Sequence, residues 1–140
     1  MTKDDSIAAM FRREIAALDA RDHANAARMQ GWYLCPCCRF PTLTAREAYE
    51  VCPLCLWEDD GHDDIDAQAL PPDSPNGRSL TAARRNFADH FDQFDAGTGP
   101  TSVTAPSRAR ANLLAYVARV RAGEKLGIEP FHTLLAACDD

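Results

Sequence analysis

Two short cysteine motifs constrain this chain more than any other feature. Cys35-Pro36-Cys37-Cys38 and Cys52-Pro53-Leu54-Cys55 are both C-x-x-C pairs, each with proline after its first cysteine. A C-x-x-C turn aims two sulfurs at one point, and its free backbone N–H groups can donate to them. Proline fixes φ there and lowers the entropy cost of ordering the turn. Zinc takes about four thiolate or imidazole ligands in a tetrahedron, with Zn–S near 2.3 Å. Two such knuckles with a short insert between them read as a zinc ribbon. One structural Zn2+ is expected on Cys35, Cys38, Cys52 and Cys55.

Cys37 is an extra thiol inside the first knuckle. A C-x-C pair can share a metal, so Cys37 is an alternative ligand to Cys38, or a reactive thiol activated by Arg39. The spacing and proline placement favour Cys38. Four thiolates around one zinc leave a net charge of −2, which backbone donors and Arg39 or Arg46 could offset. Cys138, alone near the end of the sequence, reads as a small helix-face residue.

Around this centre the sequence is helical. Ile7, Phe11, Ile15 and Leu18 share one face of a helix expected over Ser6 to about Met29, ended by Gly31. Trp32 to Trp57 has no helical period and reads as short strands joined by tight turns. Glu58 to Gly77 is polar and rich in turn residues. Ser79 is a candidate N-cap for a helix in which Leu80, Ala83, Phe87, Phe91 and Phe94 share a face. Asp95 to Pro106 is a Gly/Thr/Pro linker, expected to be mobile. Helices follow from about Ser107 to Ala122, with Leu113, Val117 and Val120 in register, and from Phe131 to about Ala137, with Leu134 and Leu135 inward. The expected fold is α+β and mostly helical: a small zinc ribbon packed with about four helices. The 140 residues suffice for one domain. Its parts are an N-terminal helix (1–31), the ribbon with its following helix (32–94), and C-terminal helices (107–140).

The longer pattern is also specific. Tyr33-Leu34 before the first knuckle, Thr42-Leu43, Tyr49-Glu50-Val51 before the second, Trp57-Glu58-Asp59-Asp60 after it, and then Asn76-Gly77, Ser79-Leu80, Ala83-Arg84 and Asn86-Phe87 resemble the bacterial cysteine-rich CPCC family. The resemblance covers about Trp32 to Phe94, and it implies the metal and the fold without implying a biochemical role. The usual member carries glycine after the CPCC motif, where this chain has Arg39.

Hydrophobic residues make up 46% and charged residues 26%, values of a globular chain. The net charge of −6 disfavours contact with phosphate backbones and suits a basic partner. The start, Met1-Thr2-Lys3-Asp4-Asp5-Ser6, lacks the basic and apolar regions of a secretory signal, and no apolar stretch reaches membrane length. A cytoplasmic setting is expected, where thiols stay reduced and six cysteines point to metal or thiol chemistry.

The acidic run Trp57 to Asp66 reads as a solvated turn or a contact surface, with Trp57 as anchor and Glu58, Asp59 and Asp60 as charged rim. A second, weak metal site involving His62 is the sharper alternative. Arg84 and Arg85, early in their helix, are candidates to bridge to Glu58, Asp59 or Asp60 and dock it on the ribbon. No catalytic triad, phosphate-cradling loop or H-E-x-x-H occurs. The expected function is therefore a noncatalytic zinc-binding interaction module for another protein, with an immunity- or antitoxin-like role as its concrete form. The alternatives are a thiol redox enzyme or sensor using Cys37, and a nucleic-acid-binding ribbon using the local cluster Arg108, Arg110, Arg119, Arg121 and Lys125. Residues Trp32 to Trp57 have too little apolar area to order themselves, so the ribbon is expected to need its metal and the helices to need it less.

Overall fold

In the computed structural model, residues 28, 29 and 31–138 are described. The chain enters on strand β1 (Arg28–Met29), reverses at Gly31, whose φ of 86° suits a residue without Cβ, and continues in β2 (Trp32–Leu34) and β3 (Pro41–Leu43). The three strands form one antiparallel sheet in the order β1-β2-β3. Arg28 pairs with Tyr33 and Met29 with Trp32. The expected helix over Ser6 to Met29 is thus corrected at its end, and the remainder lies outside the described residues. Pairing wins at Arg28–Met29 because β2 would otherwise present an open edge on that side.

After the ribbon come a short 3-10 turn (Asp64–Asp66) and four α-helices: α1 (Leu80–His90), α2 (Thr101–Thr104), α3 (Arg108–Arg121) and α4 (Ile128–Ala137). The architecture is a small α+β fold, mostly helical, as its sequence pattern implies. Ser79 and Ser107 cap α1 and α3, each hydroxyl accepting the N–H three residues on, from Ala82 and Arg110 at 3.1 Å. The buried stripes are Leu80, Ala83 and Phe87 on α1, and Leu113, Val117 and Val120 on α3.

Two expectations need correction. The helix after Ser79 stops at His90, so Phe91 is its left-handed cap (φ 73°) and Phe94 lies beyond it. What stops it is the second knuckle. The Gln93 N–H donates to the Cys55 carbonyl at 2.9 Å, and the Gln93 side chain donates to the Leu56 carbonyl at 2.6 Å. Those bonds require the chain to turn back, which a further helical turn would forbid. The last helix begins at Ile128 rather than Phe131, because Pro130 sits in the first turn, where an N–H has no helical partner to lose. The Asp95–Pro106 stretch carries the four-residue helix α2.

The cysteines and the helices share one core. Cys35, Cys38, Cys52 and Cys55 lie in the same buried cluster as Phe87 of α1, Val117 of α3 and Phe131 of α4. Phe40, directly after the first knuckle, joins them: its ring centroid is 6.1 Å from that of Phe87 and 5.3 Å from that of Phe131. Among the described residues, no helix is long and apolar enough to cross a membrane.

A candidate four-cysteine metal centre

The two knuckles are built alike. Cys35 N–H donates to Phe40 O at 2.9 Å and Arg39 N–H to Cys35 O at 2.8 Å; Cys52 N–H donates to Trp57 O at 2.9 Å and Leu56 N–H to Cys52 O at 2.8 Å. In each turn the fifth residue, Arg39 or Leu56, has φ of 67°. In each, the next residue, Phe40 or Trp57, turns inward and is buried. The first knuckle is the tip of the β2–β3 hairpin. The second is the tip of a hairpin held by the Val51–Glu58 bridge.

This geometry brings the sulfurs of Cys35, Cys38, Cys52 and Cys55 within 4.8 Å of one another, all buried. Cys35 and Cys55 are 3.6 Å apart, Cys38 and Cys52 3.8 Å. A tetrahedron with arms of about 2.3 Å has edges of about 3.8 Å, so these two spacings are compatible with ligands sharing an ion and far longer than a disulfide bond. Among the described residues this is the one group of cysteine, histidine or carboxylate side chains placed to hold a metal.

The surroundings suit concentrated negative charge. Burial pushes the thiols of Cys35, Cys38 and Cys55 well above the ordinary thiol range. Burial opposes ionisation of Cys52 too, but hydrogen bonds from Cys35, Cys38, Cys55 and Thr42 outweigh it and bring Cys52 well below that range. The Thr42 hydroxyl is 3.0 Å from Cys52 Sγ, and the Cys37 and Cys55 N–H groups donate at 3.4 Å to Cys35 Sγ and Cys52 Sγ. Burial opposes charge on these sulfurs, and a cation among them would offset it.

Arginines complete the surround, though not those expected. Arg84 Nε donates to Pro36 O at 2.8 Å, while Arg110, itself buried, donates to Pro53 O at 3.3 Å and Leu54 O at 2.9 Å. Each knuckle therefore has a guanidinium from a helix against its carbonyls. Arg39 instead pairs with Asp64 at 2.5 Å, and Arg46 with Asp59 at 2.8 Å and Asp63 at 3.1 Å. Arg84 does dock its helix on the ribbon, but through Pro36 and Asp64 (2.7 Å) rather than Glu58, Asp59 or Asp60; Arg85 is exposed. One signal for Arg110 was available in the sequence: it lies three residues before Leu113 on the apolar stripe of α3, where a charge must have a partner.

Several expected site residues lie elsewhere. Cys37 is only 4% exposed, and burial raises its thiol above the ordinary range, which removes the basis for a reactive thiol activated by Arg39. The contact surface proposed for Trp57, Glu58, Asp59 and Asp60 is also corrected. Trp57 is 1% exposed and Asp59 0%, because the knuckle turns Trp57 into the core and Asp59 accepts from Arg46, Glu47 N–H and Gly61 N–H. Asp60 and Asp63 are engaged internally, with His62 and as cap of the 3-10 turn, while Glu58 is half-buried at the surface. The basic cluster on α3 dissolves: Arg110 and Arg121 are buried, the latter donating to Phe87 O, and Arg119 pairs with Glu124 at 2.8 Å.

Arg39 occupies a left-handed position that costs a side-chain-bearing residue about 1 kcal/mol, which is why glycine is suited to it. Its ion pair with Asp64 is largely exposed and offsets at most a comparable amount. Arg39→Gly is therefore expected to leave stability unchanged or raise it by up to about 1 kcal/mol in urea unfolding. A clear loss would show that the Asp64 contact dominates.

The fold and the cluster define a small α+β protein built on two cysteine knuckles, with a four-cysteine centre compatible with metal binding. The family model for cysteine-rich CPCC matches residues 33–98, so this stretch is similar to the cysteine-rich CPCC family. No curated protein and no solved structure matches the chain. The helix α3, whose Arg110 holds the second knuckle, lies beyond the matched residues.

Proposed function

We propose that the four cysteines hold one structural zinc ion and that the chain is a noncatalytic module that binds another protein, in the manner of an immunity or antitoxin protein. The observation that carries the zinc reading is the closed set of four buried sulfurs within 4.8 Å of one another, two pairs of them at 3.6 and 3.8 Å. A catalytic zinc keeps a position open to water or substrate. Here four sulfurs would fill all four positions, buried in the core shared with α1, α3 and α4. The net charge of −6 favours a basic partner and fast association with it.

Protein purified without added metal is expected to carry about one zinc per chain by elemental analysis. A folded, metal-free protein would defeat the reading; iron at the same stoichiometry would keep the site and change the ion. The six cysteines are expected to divide sharply. Serine at 35, 38, 52 or 55 releases the metal, while Cys37→Ser and Cys138→Ser retain it. Loss of metal from Cys37→Ser alongside retention in Cys38→Ser would reassign the first knuckle.

A further inference from the structure

The insert between the knuckles holds two residues in left-handed backbone, Glu47 (φ 57°) and Tyr49 (φ 60°). Neither is glycine, and both are fixed by one buried residue. The Asp59 carboxylate accepts the Glu47 N–H at 2.8 Å, and the Asp59 carbonyl accepts the Tyr49 N–H at 3.0 Å. The result of this strained arrangement is an aromatic ring in solvent: Tyr49 is 61% exposed. Val51, two residues on, is 47% exposed.

Strand alternation places Val51 on the outer face. Asp59 N–H donates to Glu50 O and Cys52 N–H to Trp57 O, so Val51 and Glu58 form the pair between those bonds, with side chains on one side and the Val51 N–H and C=O directed away from Glu58. Among the described residues, neither of those two backbone groups makes a hydrogen bond. Cys52, Trp57 and Asp59 face the core, and Val51 and Glu58 face out. Of the five carboxylates between Thr44 and Asp60, Glu50, Asp59 and Asp60 are engaged internally, the one arginine there is taken up by Asp59 and Asp63, and Glu47 and Glu58 carry the negative charge of the outer face.

We propose that this hairpin edge is the module's docking surface and that it takes an extended, basic segment of a partner protein. The segment would add a strand at Val51, lay an apolar side chain against Tyr49 and Val51, and set lysine or arginine beside Glu47 and Glu58. The open backbone groups call for an extended partner, and the carboxylates call for a basic one. The surface deepens the interaction reading above and rests on it, but not on the identity of the metal.

The test is an NMR titration of the full chain, metal-loaded, with a peptide of about ten residues alternating lysine and valine, beside its glutamate–valine counterpart. Amide shifts centred on Tyr49, Val51 and Glu58 are expected with the lysine peptide alone. Affinity should fall about tenfold or more as salt rises from about 50 to about 300 mM. Tyr49→Gly removes the ring while suiting the left-handed backbone. It is expected to keep the metal, to unfold at equal or higher temperature, and to bind about tenfold more weakly or worse. Equal response to both peptides, shifts centred on Ile65 or Leu70, no shifts at all, or full binding by Tyr49→Gly would each overturn the proposal. Metal content, measured on the same samples, keeps its failure separate from failure of the zinc reading.

Discussion

A strong chelator at neutral pH is expected to unfold the helices together with the ribbon. Judged from the sequence, the ribbon depends on its metal and the helices, with apolar faces of their own, depend on it less. The structure alters that expectation, because the helices bury those faces against the knuckles. Phe40 links the first knuckle to α1 and α4, Arg84 and Arg110 bond knuckle carbonyls, and Gln93 ties the end of α1 to Cys55 and Leu56. A four-thiolate site contributes about 10–16 kcal/mol in small peptides. A domain of this size has a total stability of about 5–15 kcal/mol. The two are of the same order, so loss of the metal is expected to take the shared core with it. Circular dichroism should lose helix signal in step with metal release, and amide exchange in Arg108–Arg121 should accelerate along with that in Cys35–Cys55. Protection that persists in α3 after the centre opens would show that the helices stand alone.

The second large effect is expected at Asp59. Its side chain is fully buried, and Arg46, at 13% exposure, is its partner at 2.8 Å. Burial works against the Arg46 charge, yet hydrogen bonding and attraction from Asp59 and Asp63 hold its guanidinium above the ordinary value. Asp59→Ala strands that charge with only the half-exposed Asp63 and leaves the Glu47 and Gly61 N–H groups without acceptors. Breaking a buried ion pair costs about 3–5 kcal/mol, and that loss is expected in urea unfolding at fixed free metal. Asp59→Asn, which keeps an acceptor oxygen, should lose less. A change under about 1 kcal/mol for Asp59→Ala would mean that the insert between the knuckles does not rely on this residue.

The knuckles, the Ser79 cap and the buried stripes of α1 and α3 were legible because each is a local pattern: a spacing, a cap, a period. What escaped was set by partners distant in sequence. Phe91 and Phe94 continue the period of α1, yet Gln93 is drawn off to Cys55 and Leu56, 38 and 37 positions earlier in sequence. Trp57 beside three acids has the composition of a contact surface. Only the repeated knuckle geometry reveals that the residue after each left-handed turn points inward. Arg39 and Arg46 lie near the cysteines in sequence, but the guanidiniums that reach the knuckle carbonyls come from Arg84 and Arg110, 48 and 57 positions from their partners. The strand at Arg28–Met29 is too short to outweigh a helical period and exists because β2 offers an edge.

The way the sulfurs are sealed also governs how an ion comes and goes. With all four buried in the core shared with α1, α3 and α4, a metal held there would have no exit that leaves the core shut, and a competing ligand would have no sulfur to approach. Exchange is then gated by opening of the protein, and loading belongs to the folding event itself. A centre of this kind is poorly suited to lending its ion to other proteins or to reporting fluctuations in metal supply. An ion held this way would leave at the rate at which the core opens, which is also the rate that a chelator would meet.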